Sequence, residues 1–110
     1  MTYKKYLSKQ TMEILKGIIS PAVTAFNRDG SFNANSMLQQ LNWLKIEGCH
    51  GVAVGGSTGE GHTLTRDEFK ILLKLARESL GTAFPLVAGI IVNSTDEAIE
   101  RGKIARDQGA

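Results

Sequence analysis

Residues 55–61 read GGSTGEG and directly follow the apolar run GVAV. Glycines permit positive φ angles and a close approach of the backbone to another group. Successive backbone N–H groups in such a loop can point into one concavity and bind an anion. The hydroxyl groups of Ser57 and Thr58 add two further donors. The stretch therefore predicts a binding site for a carboxylate or a phosphate, and the alternative interpretation is a tight turn without a ligand.

The glycine pattern does not match the two common nucleotide-binding motifs. The P-loop motif GxxxxGK[ST] requires a lysine that this stretch lacks, and GxGxxG does not fit glycines at 55, 56, 59 and 61. These mismatches disfavour ATP and dinucleotides as ligands. A small phosphate-binding domain remains an alternative that shares the same loop.

Other reactive side chains near the loop are better explained by structural roles. Glu60 could act as a general base, but a glutamate among glycines more often holds backbone N–H groups. His62 could carry protons, yet a lone histidine without a neighbouring partner in sequence is more often a hydrogen-bonding loop residue. Cys49 and His50 are adjacent, but two ligands alone do not make a metal site. We therefore predict no metal, and Cys49 is interpreted as a small packing residue.

Three apolar runs predict the strands that position this loop, and they cover residues 17–24, 51–55 and 85–92. Their first large or branched apolar residues are spaced by 34 residues in both intervals: Ile18, Val52 and Leu86. Runs that are apolar at every residue are typical of strands covered on both faces in parallel sheets. Pro21 breaks the pattern of the first run, because proline cannot donate to a sheet ladder.

The helix after the loop has the clearest start and stop signals. Thr65 is the predicted N-cap, and Glu68 three residues later completes a capping box. Gly81 is the predicted stop. Helical spacing predicts one buried face, formed by Phe69, Leu72, Leu73, Ala76 and Leu80.

The two other inter-strand segments follow the same pattern. Asn33 caps the earlier helix, whose predicted buried residues are Met37, Leu38, Leu41 and Leu44. Ser94 caps the later helix, with Glu97 as its capping-box partner. The residues predicted to face inward there are Ala98, Ile99, Gly102 and Ala105. A short leading helix is predicted to end over residues 12–15.

The alternation of strands and helices predicts right-handed βαβ units and a parallel sheet, hence the α/β class. No linker or low-complexity segment divides the chain, so residues 1–110 are predicted to form one domain. A (β/α)₈ barrel needs eight units over about 250 residues, whereas three units are recognisable here. Two architectures follow: a small open three-stranded sheet, or the N-terminal portion of a larger barrel.

Composition excludes several functional classes. The chain has 42% hydrophobic and 22% charged residues and a net charge of +2, with its basic residues scattered, which disfavours nucleic acid as a partner. No apolar run reaches the roughly 18 residues of a membrane span, so no membrane partner is predicted. A single cysteine permits no internal disulfide, and no secretory signal is recognisable. These features predict a cytoplasmic protein.

Three blocks of the sequence resemble a known enzyme family. GIISPAVTAFNRDGSFN, GVAVGGSTGEGHTLTRDEF and PLVAGIIVNSTDEAI look like the front of the dihydrodipicolinate synthase/N-acetylneuraminate lyase family, over about residues 14–110. The resemblance implies a (β/α)₈ TIM barrel, here as an N-terminal fragment with three βα units. It also implies a homo-oligomer, a tetramer in the full-length family, and a lyase or aldolase that forms a Schiff base between pyruvate and a lysine. It implies no cofactor.

The resemblance also implies roles for individual residues. Thr58 matches the family position that holds the carboxylate of pyruvate or another 2-oxo acid. Ser57 matches the adjacent hydroxyl of a proton relay, which is often threonine in the synthases, so the direction of the reaction stays open. Thr24 matches the end of the first strand, with alanine in place of the family's following proline. The glycines that shape the loop correspond to Gly56 and Gly59.

The nucleophile of the family is not recognisable in this sequence. The family's Schiff-base lysine lies on the sixth strand and its tyrosine on the fifth, and none of the eight lysines here falls within an apolar strand run. The expected function is therefore that of the N-terminal portion of a Schiff-base lyase or aldolase, with the carboxylate-binding loop but without the lysine, and inactive alone. The alternative is a non-catalytic truncated remnant or an oligomerising half-barrel module.

Overall fold

The computed structural model describes residues 15–110, which form three strands and three helices in alternation. The elements are β1 (Ile19–Pro21), α1 (Ala34–Ile46), β2 (Gly51–Val54), α2 (Arg66–Leu80), β3 (Leu86–Ala88) and α3 (Thr95–Asp107). A single 3-10 turn, Gly61–Thr63, lies between β2 and α2. The predicted leading helix over residues 12–15 lies almost entirely outside the described residues.

The three strands form one parallel sheet in the order β1-β2-β3. Val52 pairs with Ser20 on one side and with Leu86 on the other. The 34-residue spacing from Val52 to Leu86 thus corresponds to paired positions, whereas Ile18 lies two residues before the partner of Val52. The parallel α/β class predicted from the sequence is confirmed for this part of the chain.

The strands are shorter than the apolar runs that predicted them. The N–H of Ala22 still donates to the carbonyl of Ala53 at 2.8 Å. At Val23, the N–H and the carbonyl instead bind the side-chain amide of Gln40 at 3.0 and 2.9 Å. The chain therefore leaves the sheet after Ala22. Because Ala22 donates to β2, the nitrogen of Pro21 points away from β2, where the missing N–H breaks no ladder bond.

Local capping sets the start of α1 and α2. The Thr65 hydroxyl accepts from the Glu68 N–H at 3.1 Å, and the Glu68 carboxylate accepts from the Thr65 N–H at 2.9 Å. The Asn33 side chain accepts from the Ser36 N–H at 2.9 Å. The capping box is confirmed, and the buried residues of α2 are those predicted: Phe69, Leu72, Leu73, Ala76 and Leu80.

α3 corrects two predictions. The Ser94 hydroxyl accepts from the Glu97 N–H at 3.1 Å, but the Glu97 carboxylate pairs with arginines and so completes no capping box. Ile99, predicted to face inward, is 51% exposed, whereas Arg101 is only 8% exposed. Ala105 is buried as predicted. The periodicity alone could not distinguish these faces, because α3 has few large apolar residues.

The core lies between the sheet and the helices. Val52 and Val54 of β2 are fully buried against this core, while Ala53 between them is half-buried. The prediction that the strands are covered on both faces is therefore wrong for Ala53 within residues 15–110. None of the helices within residues 15–110 could span a membrane.

Candidate functional site

Residues 55–64, here named the glycine loop, connect the C-terminal end of β2 to α2. Gly55 has a φ of 67° and Glu60 a φ of 52°, both in the left-handed region. Between them, the N–H of Glu60 donates to the Ser57 carbonyl at 3.1 Å, and that of Gly61 donates to the Gly56 carbonyl at 3.0 Å. These bonds close a compact turn that has Ser57 and Thr58 in its middle.

Two close backbone approaches hold this turn. A Cβ at Gly61 would overlap the carbonyl oxygen of Gly55, and a Cβ at Gly89 would lie 2.5 Å from the Cα of Gly56. Gly89 directly follows β3, and its N–H donates to the Val54 carbonyl at 2.7 Å. The end of β3 thus fits against the glycine loop only because residue 89 has no side chain.

Thr24 supports the loop from the side of β1. Its hydroxyl donates to the Gly59 carbonyl at 2.6 Å, and the residue is only 6% exposed. A buried hydroxyl and a buried carbonyl that satisfy one another fix the position of the chain, since either would be costly if left unpaired. Thr24 therefore acts here as a support for the turn.

The middle of the loop presents hydrogen-bond donors. Ser57 and Thr58 are exposed. Among residues 15–110, no hydrogen bond uses the backbone N–H of Ser57, Thr58 or Gly59. Neither hydroxyl has a hydrogen-bond partner in that range either. Adjacent unpaired N–H groups and hydroxyls are the donors that a carboxylate or phosphate accepts from.

The other candidate side chains make few or different contacts. Glu60 and His62 are exposed, and it is the Glu60 carbonyl that accepts from the Thr63 N–H and hydroxyl, at 2.9 and 2.7 Å. His50 precedes β2, at the opposite end of the strand, and its Nδ1 accepts from the Ile18 N–H at 2.9 Å. Cys49 is half-buried against the core. The described range contains no group of three His, Cys, Asp or Glu side chains that could hold a metal.

An ion-pair network connects the end of the glycine loop to α3. The Glu97 carboxylate accepts from both Arg66 and Arg101, with closest distances of 2.5 and 3.1 Å. Arg101 also donates to the Leu64 carbonyl at 2.7 Å. The network could not be predicted from the sequence as a whole, because Arg66 lies 31 residues from Glu97 and Leu64 lies 37 residues from Arg101; only the pair of Glu97 and Arg101 is local.

Comparison with known proteins places this geometry in a family. The model of the dihydrodipicolinate synthetase family matches residues 14–110. The chain belongs to this family. Among its relatives, the 4-hydroxy-tetrahydrodipicolinate synthase of Rhizobium meliloti is 39% identical over 97 residues, and that of Bartonella bacilliformis is 36% identical over 97 residues. Each match covers 88% of this chain and 33% of the relative.

Solved structures of the dihydrodipicolinate synthetase family and of a lyase superpose well on the chain. The dihydrodipicolinate synthase of Acinetobacter baumannii, solved in complex with pyruvate, gives a TM-score of 0.83 at 33% identity, over 87% of this chain and 33% of that one. The N-acetylneuraminate lyase of Mycoplasma synoviae gives 0.80 at 28% identity, over 88% and 34%. The resemblance inferred from the sequence is confirmed, and the chain spans about one third of the length of these relatives.

In this dihydrodipicolinate synthetase family member, the predicted site residues lie in one loop. Gly56, Ser57 and Thr58 are consecutive, and Gly59 follows them with its carbonyl held by Thr24. Their roles in substrate binding and proton transfer stay predictions. Sequence reasoning missed Gly89 and Arg101, which contact the loop from other elements. The only sequence signal for Gly89 was its position after the third apolar run, where parallel strands end near the same edge.

The ion-pair network predicts a specific pH dependence of stability. Hydrogen bonds from Arg66 and then from Arg101 lower the pKa of Glu97 from 4.5 to about 2. Since the folded-state pKa is the lower one, the stabilisation is complete above 4.5 and is lost as the pH falls towards 2. We expect Glu97→Gln to destabilise the protein most near neutral pH, with the difference in unfolding free energy shrinking below 4.5. Urea unfolding of both proteins at several pH values measures this difference in unfolding free energy.

Glu100→Gln is the matched control for this measurement, because Glu100 also lies on α3 and its ion pair with Lys103, at 3.3 Å, is exposed. Exposed pairs of this kind contribute little. The assigned pKa shift of Glu97 would be contradicted if the difference in unfolding free energy between the protein and Glu97→Gln stayed constant from neutral pH down to 3.

Proposed function

We propose that the chain is the N-terminal portion of a Schiff-base lyase or aldolase, and that its glycine loop binds the carboxylate of a 2-oxo acid such as pyruvate. The observation that carries this proposal lies at the C-terminal end of β2. Within residues 15–110, the N–H groups of Ser57, Thr58 and Gly59 and the exposed hydroxyls of Ser57 and Thr58 have no hydrogen-bond partner. Ligands of parallel α/β proteins bind at this edge of the sheet. The pyruvate complex of the related Acinetobacter baumannii protein supports the substrate class.

The loop would contribute binding and orientation. Hydrogen bonds from backbone N–H groups and the Thr58 hydroxyl to a carboxylate are charge-assisted and contribute about 1.5–3 kcal/mol each. Holding the carboxylate fixes the adjacent 2-oxo carbon in a defined position, which lowers the entropic cost of attack by an amine. The Ser57 hydroxyl, next to the bound group, is the candidate for proton transfer.

The reacting amine is proposed to lie on a later strand of a (β/α)₈ barrel, outside these residues. A nucleophilic lysine needs a desolvated position that lowers its pKa. In the described part of the chain, no lysine lies in a strand. Lys45 donates to the Leu80 carbonyl at 2.7 Å, at the end of α2 away from the glycine loop.

Replacement of Thr58 tests the carboxylate site. We expect Thr58→Ala to weaken pyruvate binding about 10- to 150-fold, the factor equivalent to one charge-assisted hydrogen bond. The measurement is an NMR titration of the ¹⁵N-labelled chain. Thr82→Ala is the matched control, because Thr82 is also exposed but lies before β3, at the other end of the sheet. Equal pyruvate affinity in the Thr58 and Thr82 variants would contradict the proposal.

Two further experiments separate this function from its competitors. Titration with inorganic phosphate tests the phosphate-binding alternative, and tighter binding of phosphate than of pyruvate would favour it. Borohydride reduction in the presence of pyruvate, followed by mass measurement, tests for a Schiff base. We expect no adduct on these 110 residues, and a trapped lysine would contradict the placement of the nucleophile on a later strand.

A homo-oligomer and a cytoplasmic location complete the proposal. Trp43 and Ile46 on α1 are 59% and 80% exposed, and apolar side chains of this size favour an interface between subunits. The scarcity of cysteine is in keeping with a reducing compartment. Sedimentation of the full-length protein measures the subunit number.

A further inference from the structure

Arg101 is a charged side chain in a buried position. The residue is 8% exposed, its Nε donates to the Glu97 carboxylate at 3.1 Å, and its Nη2 donates to the Leu64 carbonyl at 2.7 Å. Its guanidinium carbon also lies 5.4 Å from the centre of the Phe69 ring, within the range of a cation–π contact. Three different partners therefore fix one side chain of α3.

Two of these partners, Leu64 and Phe69, connect Arg101 to the two ends of the glycine loop. Leu64 is the last loop residue and is itself buried. Phe69 reaches back to the first loop residue, because a Cβ at Gly55 would lie 3.4 Å from the Phe69 ring. The guanidinium thus holds the end of the loop directly and its beginning through one aromatic ring.

Arg66 and Glu97 orient this guanidinium. Arg66, at the start of α2, donates to Oε2 of Glu97 through Nε at 3.0 Å and through Nη2 at 2.5 Å. The Arg101 Nε donates to Oε1 of the same carboxylate at 3.1 Å, an oxygen that the Arg66 Nε also contacts at 3.0 Å. Because the carboxylate is fixed from one side by Arg66, it directs Arg101 towards Leu64 from the other. A planar guanidinium presents its N–H donors in a rigid fork that reaches both acceptors at once, whereas the three donors of an ammonium group all sit on one nitrogen.

We propose that Arg101 is a positioning residue that keeps the glycine loop in its donor-presenting conformation and thereby sets the affinity for the anionic ligand. This inference rests on the proposed function for its ligand, but its effect on the loop is independent of that function. Loss of the guanidinium leaves the buried Leu64 carbonyl without its partner, so the loop opens locally before the core does.

Two variants and one control test the proposal in the 110-residue chain. Arg101→Met keeps much of the length of the side chain but removes its hydrogen-bond donors. Arg101→Lys keeps the positive charge but removes the planar arrangement of the guanidinium N–H donors. Arg106→Met is the control, because Arg106 also lies on α3 but is exposed and pairs with the neighbouring Asp107. The readouts are amide hydrogen exchange and pyruvate affinity by NMR.

We expect exchange at Glu60, Gly61, Thr63 and Leu64, whose N–H groups make the internal bonds of the loop, to accelerate at least about tenfold in Arg101→Met. Exchange within β2 should stay unchanged. Pyruvate affinity should fall by about the same factor in Arg101→Met, by less in Arg101→Lys, and not at all in Arg106→Met.

Uniform acceleration of exchange throughout the fold, with unchanged pyruvate affinity, would overturn the proposal, because it would assign Arg101 a role in general stability alone. If Arg101→Met does not fold, Arg101→Lys decides by the same two readouts. If the unmodified chain does not bind pyruvate, the proposed function fails, and selective acceleration in the loop still decides whether Arg101 positions it.

Discussion

Replacing Gly61 with alanine is expected to destabilise the protein by at least about 3 kcal/mol, at the upper end of overpacking effects. The added Cβ would overlap the backbone carbonyl of Gly55, and a backbone atom cannot move aside as a flexible side chain can. Because the Gly61 N–H also closes the turn through the Gly56 carbonyl, relief of the overlap requires the turn to open. Urea denaturation followed by circular dichroism measures the loss.

Gly102→Ala is the matched control, since the nearest atom to its Cβ is Cδ1 of Ile90 at 3.9 Å. Gly102 lies inside α3, where alanine is the better helix former by about 1 kcal/mol. The same chemical change should therefore stabilise the protein at one position and destabilise it at the other. Similar effects at both positions would contradict the close approach of Gly61 to Gly55.

Phe69→Ala is expected to cost about 3–5 kcal/mol of unfolding free energy. Phe69 is 1% exposed and is the largest fully buried side chain in the described range. Its removal leaves a cavity between α2 and the start of the glycine loop, and it also removes the ring against which Arg101 packs. Thermal or urea unfolding at several protein concentrations measures this loss of unfolding free energy.

Ile71→Ala serves as the control on the same helix, because Ile71 is 51% exposed. Its effect should stay within about 0.5 kcal/mol. The assignment of Phe69 to the core would be wrong if the two variants unfolded at the same urea concentration.

The helix starts could be predicted from the sequence because their signals are local. Thr65 and Glu68 satisfy one another within one turn, and Asn33 and Ser94 each bond an N–H three residues later. The amphipathic pattern of α2 likewise predicted its buried face. These interactions depend on residues that are neighbours in sequence, so no knowledge of the rest of the fold is needed.

The predictions that failed depend on long-range contacts. The apolar runs could not show where a strand leaves its neighbour, as β1 does when Val23 turns to Gln40. The buried face of α3 could not be recognised either. Arg101 is buried because Glu97 neutralises its charge and the Leu64 carbonyl, 37 residues away, accepts a second hydrogen bond. A charged side chain becomes buried only when the fold supplies such partners.

The position of the candidate site could be predicted from the sequence, but the residues that support it could not. The hydroxyls and glycines of residues 55–61 identified the loop, and the strand before it placed the loop at the edge of the sheet. The support from Thr24 and Gly89 was not predicted, because each contacts the loop from more than 25 residues away. Only the parallel pairing of the strands brings them together.

The glycine loop separates positions that can vary from positions that cannot. Ser57 and Thr58 are exposed, whereas a Cβ at Gly61 or Gly89 would meet backbone atoms. Mutations at Ser57 and Thr58 can therefore change the ligand preference of the proposed site at little cost in unfolding free energy. A laboratory library randomised at these two codons could therefore select a different ligand for the proposed site. The backbone that supports the loop would stay the same.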